Sequence, residues 1–394
     1  MRSVSARAGR GGLRKKPPLR ARGGAPGLKM TAMTAEPSLS LLPAAAQPYD
    51  VSVCIGRFQT FHNGQLALLR RALASAPRCI VVLGSAHQAR TPKNPFTWEE
   101  RAQMIRLALD EGERQRVQFL PVRDYYDQAR WVGVVRRGVA ALAGATAATA
   151  FVLVGHFKDA TSQYLEDFPG WALDALPLQG HIDASGLRDA YFGNAGSALD
   201  ATLAALVSQA PASTLEFLRA WAALPYFAQL AQEWAVLRRD KAGWAGAPYA
   251  PVFVTVDAVV QCAGCVLLIR RGHAPGKGLL AVPGGFLEQR ETVHQSALRE
   301  LHEETGLRLP DAQAAQCLRG VHVFDHPDRS LRGRVITHAH WFDLGARALP
   351  AVRGGDDAAA AQWVPIEALA ALEDQFHDDH FHMLDFFFGL TPRD

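Results

Sequence analysis

Between residues 50 and 155, the apolar residues alternate between short β-branched runs and stretches with helical spacing. This pattern predicts strands at 51–55, 79–83, 117–121 and 151–154, and helices at 65–76, 99–109 and 128–142. Strands that are separated by helices are typical of βαβ units, whose strands lie parallel in one sheet. We therefore predict a doubly wound α/β domain over residues 48–195, with ligands bound beyond the carboxyl ends of its strands.

The pattern changes after residue 195. Apolar residues at helical spacing fill 196–240, and 243–251 has the composition of a linker, so a helical extension and linker are predicted over 196–245. Beyond them, strands are predicted at 252–260, 266–270, 279–282, 318–324 and 334–344, with one helix at 292–305. Several strands with a single strong helix favour a second α/β domain with a mixed sheet over residues 250–394.

The composition favours a folded protein, because 48% of the 394 residues are hydrophobic and 20% are charged. No apolar run reaches the ~18 to 20 residues that a membrane-spanning helix requires, so no membrane partner is expected. The five cysteines form no disulfide pattern, which favours a reducing compartment. We therefore predict a cytoplasmic protein.

Charge is distributed unevenly along the chain. Residues 1–47 contain nine lysines and arginines and a single acid, Glu36, whereas the whole chain has a net charge of +4. The remaining residues carry a net charge of −4, so no nucleic-acid partner is expected. The basic segment lacks apolar periodicity, and we predict that 1–47 is a disordered tail. A transit peptide is a less favoured alternative, and a translation start at Met30 or Met33 is another.

The most specific motif lies at 285–307, with the sequence GFLEQRETVHQSALRELHEETGL. Its glutamates Glu300, Glu303 and Glu304 are spaced i, i+3 and i+4, so a helix places them on one face. Like charges at this spacing repel one another, and a divalent cation between them would relieve that repulsion. Oxygen ligands suit Mg²⁺ or Mn²⁺, although an isolated acidic cluster of this spacing is usually a solvated helix face.

The whole segment resembles the Nudix box. It matches G-x5-E-x7-R-E-U-x-E-E-x-G-U, where U is a bulky apolar residue, at Gly285, Glu291, Arg299, Glu300, Leu301, Glu303, Glu304, Gly306 and Leu307. The resemblance implies hydrolysis of a nucleoside diphosphate linked to another group, with Mg²⁺ (or Mn²⁺) as cofactor. It also implies Glu300, Glu303 and Glu304 as metal ligands, with Glu300 and Glu303 as catalytic residues.

Segments around the box are similar to the ADP-ribose pyrophosphatase branch of that family, namely 329–334 (RSLRGR), 336–338 (ITH) and 354–357 (GGDD). The implied substrate is ADP-ribose, which is cleaved to AMP and ribose 5-phosphate. Arg332 and Arg334 are predicted to bind its diphosphate, because the guanidinium fork matches phosphate geometry. As bare sequence, the two residues are equally compatible with surface arginines.

A second motif follows the first predicted strand directly. Residues 56–65 have the sequence GRFQTFHNGQ and open a helix. The free N–H groups and the dipole of a helix N-terminus attract phosphate, His62 can donate a hydrogen bond, and Gly64 permits close approach. This order of strand, glycine turn and helix predicts a phosphate site, although the two glycines alone are a weak signal.

These residues resemble GRFQPFHxGH, a signature of the nicotinamide-mononucleotide (NMN) adenylyltransferases. Further similar segments are 84–85, 94–96, 100–101, 122–124, 155–159 and 182–188, and the resemblance extends over about residues 50–394. It implies a Rossmann-like nucleotidyltransferase that transfers the adenylyl group of ATP to NMN, giving NAD and diphosphate. It implies catalytic His62, Gln65 and Arg188, and nucleotide-binding Gly56, Arg57, Phe58, Gly64, Asn94, Arg101, His156, Lys158, Asp159 and Ser185.

Three features depart from that family pattern. Gln65 replaces the second histidine of the motif, Thr60 replaces a proline, and Asp183 and Ala184 replace two hydroxyl residues, so that Ser185 remains. Glutamine donates a neutral hydrogen bond but carries no imidazolium charge. The loss of one charge-assisted donor at a phosphoryl transition state costs ~2 to 4 kcal/mol, so slower adenylyl transfer is expected.

The sequence thus predicts a bifunctional enzyme of NAD metabolism with ATP, NMN and ADP-ribose as partners, and a homo-oligomer is a further prediction. One alternative is a Nudix hydrolase whose first domain only senses nucleotides, which Gln65 and 182–188 favour. Another is a transcriptional regulator with an ADP-ribose receptor domain, which the intact box and the acidic body oppose. A third is adenylyl transfer to a different mononucleotide.

Two further clusters receive a structural interpretation. Cys262 and Cys265 have CxxC spacing without a second pair, so a turn between two strands is favoured over a metal or redox site. Residues 376–384 (FHDDHFHML) include potential metal ligands, but the charged start of a final helix is favoured.

Overall fold

The computed structural model describes residues 48–156, 164–176, 182–194 and 198–392, so the predicted tail and the predicted site residues Lys158 and Asp159 lie outside the described residues. The described N-terminal part consists of strands and helices that alternate as predicted. Its strands are β1 (Val51–Gly56), β2 (Arg78–Leu83), β3 (Val117–Pro121), β4 (Phe151–Gly155) and β5 (Ala172–Ala175). Its helices are α1 (Asn63–Ser75), α2 (Trp98–Leu107), α3 (Glu111–Gln115), α4 (Gln128–Ala143), α5 (Ala184–Gly193), α6 (Leu199–Ala205), α7 (Ala212–Trp221) and α8 (Pro225–Gly243).

These strands form a parallel sheet in the order β3-β2-β1-β4-β5. Successive side chains of β1 point to opposite faces: Val53 packs in the core beneath α4, whereas Cys54 packs in the core beneath α1 and α2. The strand order reverses between β1 and β4, which leaves a crevice at their carboxyl ends. The predicted doubly wound α/β fold is confirmed.

The helical extension packs on the same face of the sheet as α1 and α2. Tyr191 and Phe192 of α5 lie against Phe227 of α8, with ring centroids 4.9 and 5.8 Å apart. Trp221 of α7 packs edge-on against Phe96, which follows β2 in the chain, at 5.0 Å. These aromatic contacts fix α5 beside the crevice, and this helix was not predicted.

The C-terminal part contains a second sheet. Its strands are β6 (Val252–Cys262), β7 (Cys265–Arg271), β8 (Leu280–Ala281), β9 (Gly284–Phe286), β10 (Leu318–Phe324), β11 (Arg334–Asp343) and β12 (Ala358–Pro365). The order is β10-β11-β6-β7-β12, with β8 paired to β7 and β9 to β6. Only the β11–β6 pair among these is parallel, so the predicted mixed sheet is confirmed.

Helices cover both faces of this sheet. They are α9 (Val293–Thr305), α10 (Asp311–Cys317), α11 (His380–Phe388) and a 3-10 helix at Ile366–Gln375. Val259 of β6 packs toward α11, whereas Ala258 and Val260 pack toward α9 and α10. One helix, at 292–305, was predicted before the final helix, and it corresponds to α9. Helix α10 was missed, because it is too short to display a helical period. Among the described residues, no helix is long and apolar enough to cross a membrane.

Contacts between the two sheets' domains involve α4 and the loop that precedes it on one side, and the C-terminal helices on the other. Arg123 Nη2 lies 2.7 Å from Glu373 Oε2, and Arg130 Nη1 lies 3.4 Å from Asp385 Oδ2. Arg130 also donates to Thr391 Oγ1 at 2.6 Å. These residues are largely buried, so the contacts hold the last described residues of the chain against α4.

Candidate active sites

A buried arginine holds together the loops that follow β1 and β2. Arg101 of α2 donates to the carbonyl oxygens of Arg57 at 2.6 Å, Gly84 at 2.7 Å and Ser85 at 3.3 Å. Its side chain is fully buried, and burial lowers the pKa of the guanidinium to about 10, so it stays charged at neutral pH. Arg101 was predicted to line a nucleotide site, but it lies beneath the loops because α2 directs it into the core.

Asp124, which follows β3, ties a third loop to the other two. It accepts from Ser85 through the N–H at 3.1 Å and the hydroxyl at 2.5 Å, and from Gln88 Nε2 at 3.0 Å. Ser85 and Phe58 have positive φ angles of 51° and 53°, which non-glycine residues rarely adopt. The hydrogen bonds of Asp124 hold Ser85 in this strained conformation, as is common where loops form a site.

A cavity of about 640 Å³ opens above these loops. The ends of β1 and β2, the loop after β3 and the first turn of α5 form its wall, and a loop of the C-terminal part closes the far side. Three cationic side chains of the N-terminal part line it, namely Arg57, Lys93 and Arg188. Positive charge at the carboxyl ends of parallel strands suits a phosphate-bearing ligand.

The first turn of α1 borders this cavity through Gln65. His62 is the buried N-cap residue, and its backbone N–H donates to Gln65 Oε1 at 3.3 Å. Since the amide oxygen accepts the hydrogen bond at the helix start, the NH₂ group of Gln65 is the end that can donate to a ligand.

Two glycines flank this turn. A Cβ at Gly64 would lie 3.3 Å from the His62 ring, and one at Gly56 would lie 3.1 Å from the ring of Phe58. Both glycines therefore allow an aromatic ring to pack closely.

Helix α5 contributes Arg188 and Ser185 to the cavity wall. Arg188 donates to the carbonyl oxygen of Gln59, and its second N–H group donates to Ser185 Oγ at 3.1 Å. Burial lowers the pKa of Arg188 to about 10, so the guanidinium is charged at neutral pH. These bonds hold the charge in place before any ligand binds.

Asn94 and His156 are the other described residues predicted for this site. Asn94 lines the cavity, and its Nδ2 donates to Gln88 Oε1 at 3.0 Å. His156 directly follows β4 at the reversal of strand order. The structure therefore gathers the described residues of this prediction near one crevice, with Arg101 beneath it.

Helix α9 presents the predicted glutamates of the box, and it ends at Gly306, whose φ is 71°. Arg299 is the centre of their hydrogen bonds: it donates to Glu291 at 2.9 Å, Glu300 at 2.9 Å and Glu303 at 2.8 Å. The guanidinium thus balances the repulsion that the i, i+3 and i+4 spacing creates. Glu303 is the most exposed carboxylate of this group.

Glu304 and Glu300 point toward the glycine turn that begins the box. Glu304 is 3% exposed and accepts from the Gly284 N–H at 2.9 Å. A Cβ at Gly285 would collide with the Glu300 carboxylate, so a larger residue here would displace that carboxylate. Burial raises the pKa of Glu300 and raises that of Glu304 to about 8.

The donor set on α9 fits a hard divalent cation. Within the described parts of the chain, no three acidic, histidine or cysteine side chains already converge on one point. However, Glu304 is buried without a cationic hydrogen-bond partner among the described contacts, and its raised pKa reflects that cost. A cation at these carboxylates would compete with Arg299 for Glu300 and Glu303.

A second, smaller cavity of about 60 Å³ adjoins this glycine turn. Arg271 and Arg332 line it, and Arg332 lies over the ring of Phe286 at 5.7 Å. Arg334 was predicted to contact diphosphate beside Arg332, but it does not line this cavity. Its guanidinium instead donates to the carbonyl oxygen of Asp325. Val335, the next residue of β11, lines the cavity, and successive residues of a strand point to opposite faces, so Arg334 points away from it.

The segment 376–384 contains the start of the final helix, as predicted, and most of it is buried. Asp379, at the N-cap of α11, accepts two hydrogen bonds from Arg329 at 2.8 and 2.9 Å. His380 Nδ1 accepts from the Val282 N–H at 3.2 Å, and burial lowers the pKa of His380. The predicted charged start of the helix is therefore an internal network beside the small cavity.

The CxxC segment is the predicted turn. Cys262 ends β6 and Cys265 begins β7, and Ala263 and Gly264 between them have φ angles of 47° and 76°. Positive φ at both central residues is the conformation of a tight two-residue hairpin. Both cysteines are free thiols.

Known families match the two sheets separately. A cytidylyltransferase-like family model matches residues 53–148, and a NUDIX domain model matches residues 251–387. One solved structure is similar over both parts: a bifunctional NMN adenylyltransferase/ADP ribose pyrophosphatase from Francisella tularensis. It has 32% sequence identity and a TM-score of 0.79, over 86% of this chain and 99% of that chain. The chain belongs to this bifunctional family.

Proteins that are named for only one of the two activities match one half of this chain each. The nicotinamide/nicotinic acid mononucleotide adenylyltransferase of Acinetobacter baylyi is 33% identical over 187 residues, 47% of this chain and 94% of its own length. The ADP-ribose pyrophosphatase of Methanocaldococcus jannaschii is 38% identical over 119 residues, 30% of this chain and 65% of its own length. A second Francisella structure, complexed with AMP and a Mn ion, has the same similarity as the first. The names adenylyltransferase half and Nudix half are used below for the parts built on the two sheets.

Three residues at the cavity of the adenylyltransferase half were not assigned from the sequence. Asp124 lies in a segment that resembles the family, but its contacts with Ser85 come from a distant loop. Lys93 precedes Asn94 directly and could have been found from that position. Asp328 gives no local signal, because it belongs to the Nudix half.

Proposed function

We propose that the protein makes NAD from NMN and ATP in its adenylyltransferase half and hydrolyses ADP-ribose to AMP and ribose 5-phosphate in its Nudix half. The observation that carries the proposal is the match to a bifunctional enzyme of both activities over 99% of that enzyme's chain. Two separate cavities, one at each predicted motif, support it. The adenylyltransferase unit corresponds to residues 48–195 with the extension 196–245, and the Nudix unit to 250–394.

In adenylyl transfer, a phosphate oxygen of NMN attacks the α-phosphorus of ATP, and diphosphate leaves. No covalent bond to the protein is required, so alignment and charge stabilisation supply the catalysis. Arg57, Lys93 and Arg188 are positioned to bind the phosphates, because all three line the same cavity. The first turn of α1 adds its helix dipole, with His62 and Gln65 as hydrogen-bond donors.

The other predicted residues take supporting roles in this proposal. Gly56 and Gly64 keep the β1–α1 loop compact, and Phe58 and Asn94 line the nucleotide cavity. Ser185 holds Arg188 and presents a hydroxyl to the phosphates. Arg101 is a positioning residue, because it binds only loop carbonyls. The roles of His156, Lys158 and Asp159 at the nucleotide remain predictions.

Nudix hydrolases use divalent metal ions, and we assign Glu300, Glu303 and Glu304 as the groups that hold Mg²⁺ (or Mn²⁺) here. When bound, such a cation neutralises diphosphate oxygens and favours ionisation of water. Glu303 is exposed on the helix face, so it is placed to accept a proton from water. Arg299 and Glu291 orient the carboxylates.

Arginines of the small cavity provide the diphosphate contacts of the Nudix half. Arg332, in the loop before β11, and Arg271, at the end of β7, both line the small cavity. A guanidinium donates two parallel hydrogen bonds to phosphate oxygens, which suits a diphosphate. Arg334 is not assigned this role, because its guanidinium binds Asp325.

The test of the adenylyltransferase half is NAD formation from NMN and ATP with Mg²⁺. A Glu303→Gln/Glu304→Gln variant prevents the Nudix half from consuming nucleotides during the assay. Turnover supports the bifunctional proposal. Binding of both nucleotides without turnover would favour the alternative of a nucleotide-sensing domain, for which Gln65 is the specific observation. ADP-ribose hydrolysis by the unsubstituted protein tests the Nudix half separately.

A further inference from the structure

A loop of the Nudix half reaches into the nucleotide cavity of the adenylyltransferase half. This β10–β11 loop carries Asp328, which lines that cavity. Asp328 Oδ1 lies 3.4 Å from Lys93 Nζ, and Oδ2 lies 3.8 Å from Arg57 Nη2. Each carboxylate oxygen therefore faces one of the cations that line the cavity.

The loop is anchored on both sides of Asp328. On one side, His326 stacks on Tyr126 of the adenylyltransferase half, with ring centroids 4.3 Å apart and ring planes 7° from parallel. On the other side, Arg329 makes its paired hydrogen bonds to the buried Asp379. The Asp328 N–H itself donates to His326 Nδ1 at 3.3 Å. The carboxylate is thus held at the cavity wall by both halves.

The charge distribution makes Asp328 an anion at neutral pH. Partial burial raises its pKa, but Lys93 and Arg57 outweigh burial and hold the pKa below its ordinary value. Of the other described acids that line this cavity, Asp124 already accepts from Ser85 and Gln88, and Asp378 lies 3.4 Å from His377 Nε2. A carboxylate between two cations reproduces the contacts that a phosphate oxygen makes.

We propose that Asp328 is an internal competitor of the substrate phosphate: it occupies Arg57 and Lys93 in the ligand-free enzyme, and the phosphate chain of ATP displaces it. This inference rests on the proposed adenylyltransferase function of the cavity. It makes the Nudix half a determinant of ATP affinity in the other half. Asp328 weakens the binding of ATP more than that of NMN, because ATP carries more phosphate charge.

The experiment compares Asp328→Asn with Asp325→Asn, both in the full-length Glu303→Gln/Glu304→Gln protein. Asp325 lies in the same loop, and Asp325→Asn removes the same charge. However, Asp325 lines a neighbouring cavity and not the nucleotide cavity. ATP affinity is measured by calorimetry with Mg²⁺, and NAD synthesis gives KM and kcat. Asp328→Asn should tighten ATP binding and lower the KM for ATP about three- to tenfold, the range expected for two partly exposed ion pairs. Asp325→Asn should leave both unchanged.

Two further readouts distinguish competition at these cations from a general effect of charge. In a Lys93→Ala background, Asp328→Asn should give a smaller gain, because one partner of the carboxylate is already missing. The gain should also shrink at high ionic strength, since partly exposed ion pairs are screened. A gain of equal size with and without Lys93 contradicts the proposal.

The outcomes separate this inference from the proposed function. Unchanged or weaker ATP binding by Asp328→Asn overturns the competitor role, and so does an equal gain in Asp325→Asn. If no variant forms NAD but Asp328→Asn still binds ATP more tightly, the proposed enzymatic function of this half fails and the competitor role stands.

Discussion

The two active regions differ in how far apart along the chain their residues lie. In the Nudix half, Glu300, Glu303 and Glu304 lie within about one turn of α9, and Arg299 of the same helix binds two of them. In the adenylyltransferase half, the cavity is assembled from loops after three strands, the start of α5 and a loop of the other half. A local cluster depends mainly on its own helix. An assembled cavity depends also on residues that touch no ligand.

This difference also explains where the two regions depart from their families. The box around α9 matches at every specified position. Its charged residues bond to one another or face the glycine turn, and Leu301 and Leu307 pack in the core. Two of the substituted residues, Gln65 and Ala184, line the cavity of the other half, yet its loops remain bound by Arg101 and Asp124. The fold of an assembled site can thus persist while its chemistry changes.

The largest expected effect is in the Nudix half. Glu303→Gln keeps the size of the side chain but removes one carboxylate, so ADP-ribose hydrolysis should fall about a hundred- to a thousandfold. NAD synthesis by the same sample should change less than twofold, because the site on α9 is separate from the nucleotide cavity. AMP release and NAD formation measure the two activities.

A matched control for that variant is Glu288→Gln, which removes an exposed carboxylate at an unspecified position of the box. It should leave both activities unchanged. A parallel loss of NAD synthesis in Glu303→Gln would contradict the view that the Nudix site is local.

The next largest effect tests the assembled cavity. Arg101→Met removes the charged donor to three loop carbonyls, and each such bond contributes about 1 to 3 kcal/mol. NAD synthesis should fall about a hundredfold, whereas ADP-ribose hydrolysis should be retained. Arg106→Met changes an exposed arginine of the same helix and serves as the control. Loss of both activities in Arg101→Met would mean that the two halves unfold together.

A gain of function is expected at the substituted motif position. Gln65→His restores a side chain that can carry an imidazolium charge at the first turn of α1, and NAD synthesis should rise about tenfold. Gln65→Leu, which removes the donor, should lower it. The initial rate of NAD formation across pH 6 to 8 checks both variants. A lower rate in Gln65→His would show that the rest of the cavity has adapted to glutamine.

The smallest effect concerns stability at the contact between the halves. Burial raises the pKa of Glu373 to about 7 from an ordinary value of 4.5, even with Arg123 at 2.7 Å. The protonated form therefore favours folding: its contribution is complete below about pH 4.5 and is lost as the pH rises through 7. Relative to Glu373→Gln, the unsubstituted protein should lose about 2 to 3 kcal/mol of stability between pH 5 and pH 8.

Thermal unfolding of both proteins across this pH range measures that difference as a shift of several degrees. Both activities should be unchanged at a temperature far below the unfolding transition. Parallel stability curves for the two proteins would argue against an altered pKa at Glu373.

Most of the sheet architecture could be predicted, because buried strands such as β2 and β4 contain continuous apolar runs. Strand β12 could not: its first four residues are alanines, which favour a helix by propensity. It becomes a strand because it pairs with β7 along Ala358–Pro365, a contact far away in sequence. Helix α5 was missed since its first turn, Ala184 to Leu187, contains Ser185 and Gly186.

The candidate sites were predictable to the degree that their contacts are local. The spacing on α9 places its three glutamates on one face, and the resemblance to the Nudix box assigns them as metal ligands. Gln65 follows from its place after β1. The buried position of Arg101, the bond of Asp124 to Ser85 and the approach of Asp328 to Lys93 all join segments that no periodicity relates. Arg334 was misplaced because β11 begins at this residue, whereas Arg332 lies in the loop before it, and the sequence does not show where the strand starts.

The bonds of Arg130 to Asp385 and Thr391 bear on what covalent fusion achieves. Between separate proteins, a few polar contacts of this kind are too weak to maintain a complex at cellular concentrations. Within one chain the partners meet at an effective concentration set by the connecting segment, commonly millimolar for a short one. The covalent connection therefore supplies affinity that the interface itself does not have to provide. Polar contacts such as those of Arg130 with Asp385 and Thr391 then need only help to fix the orientation of the two halves.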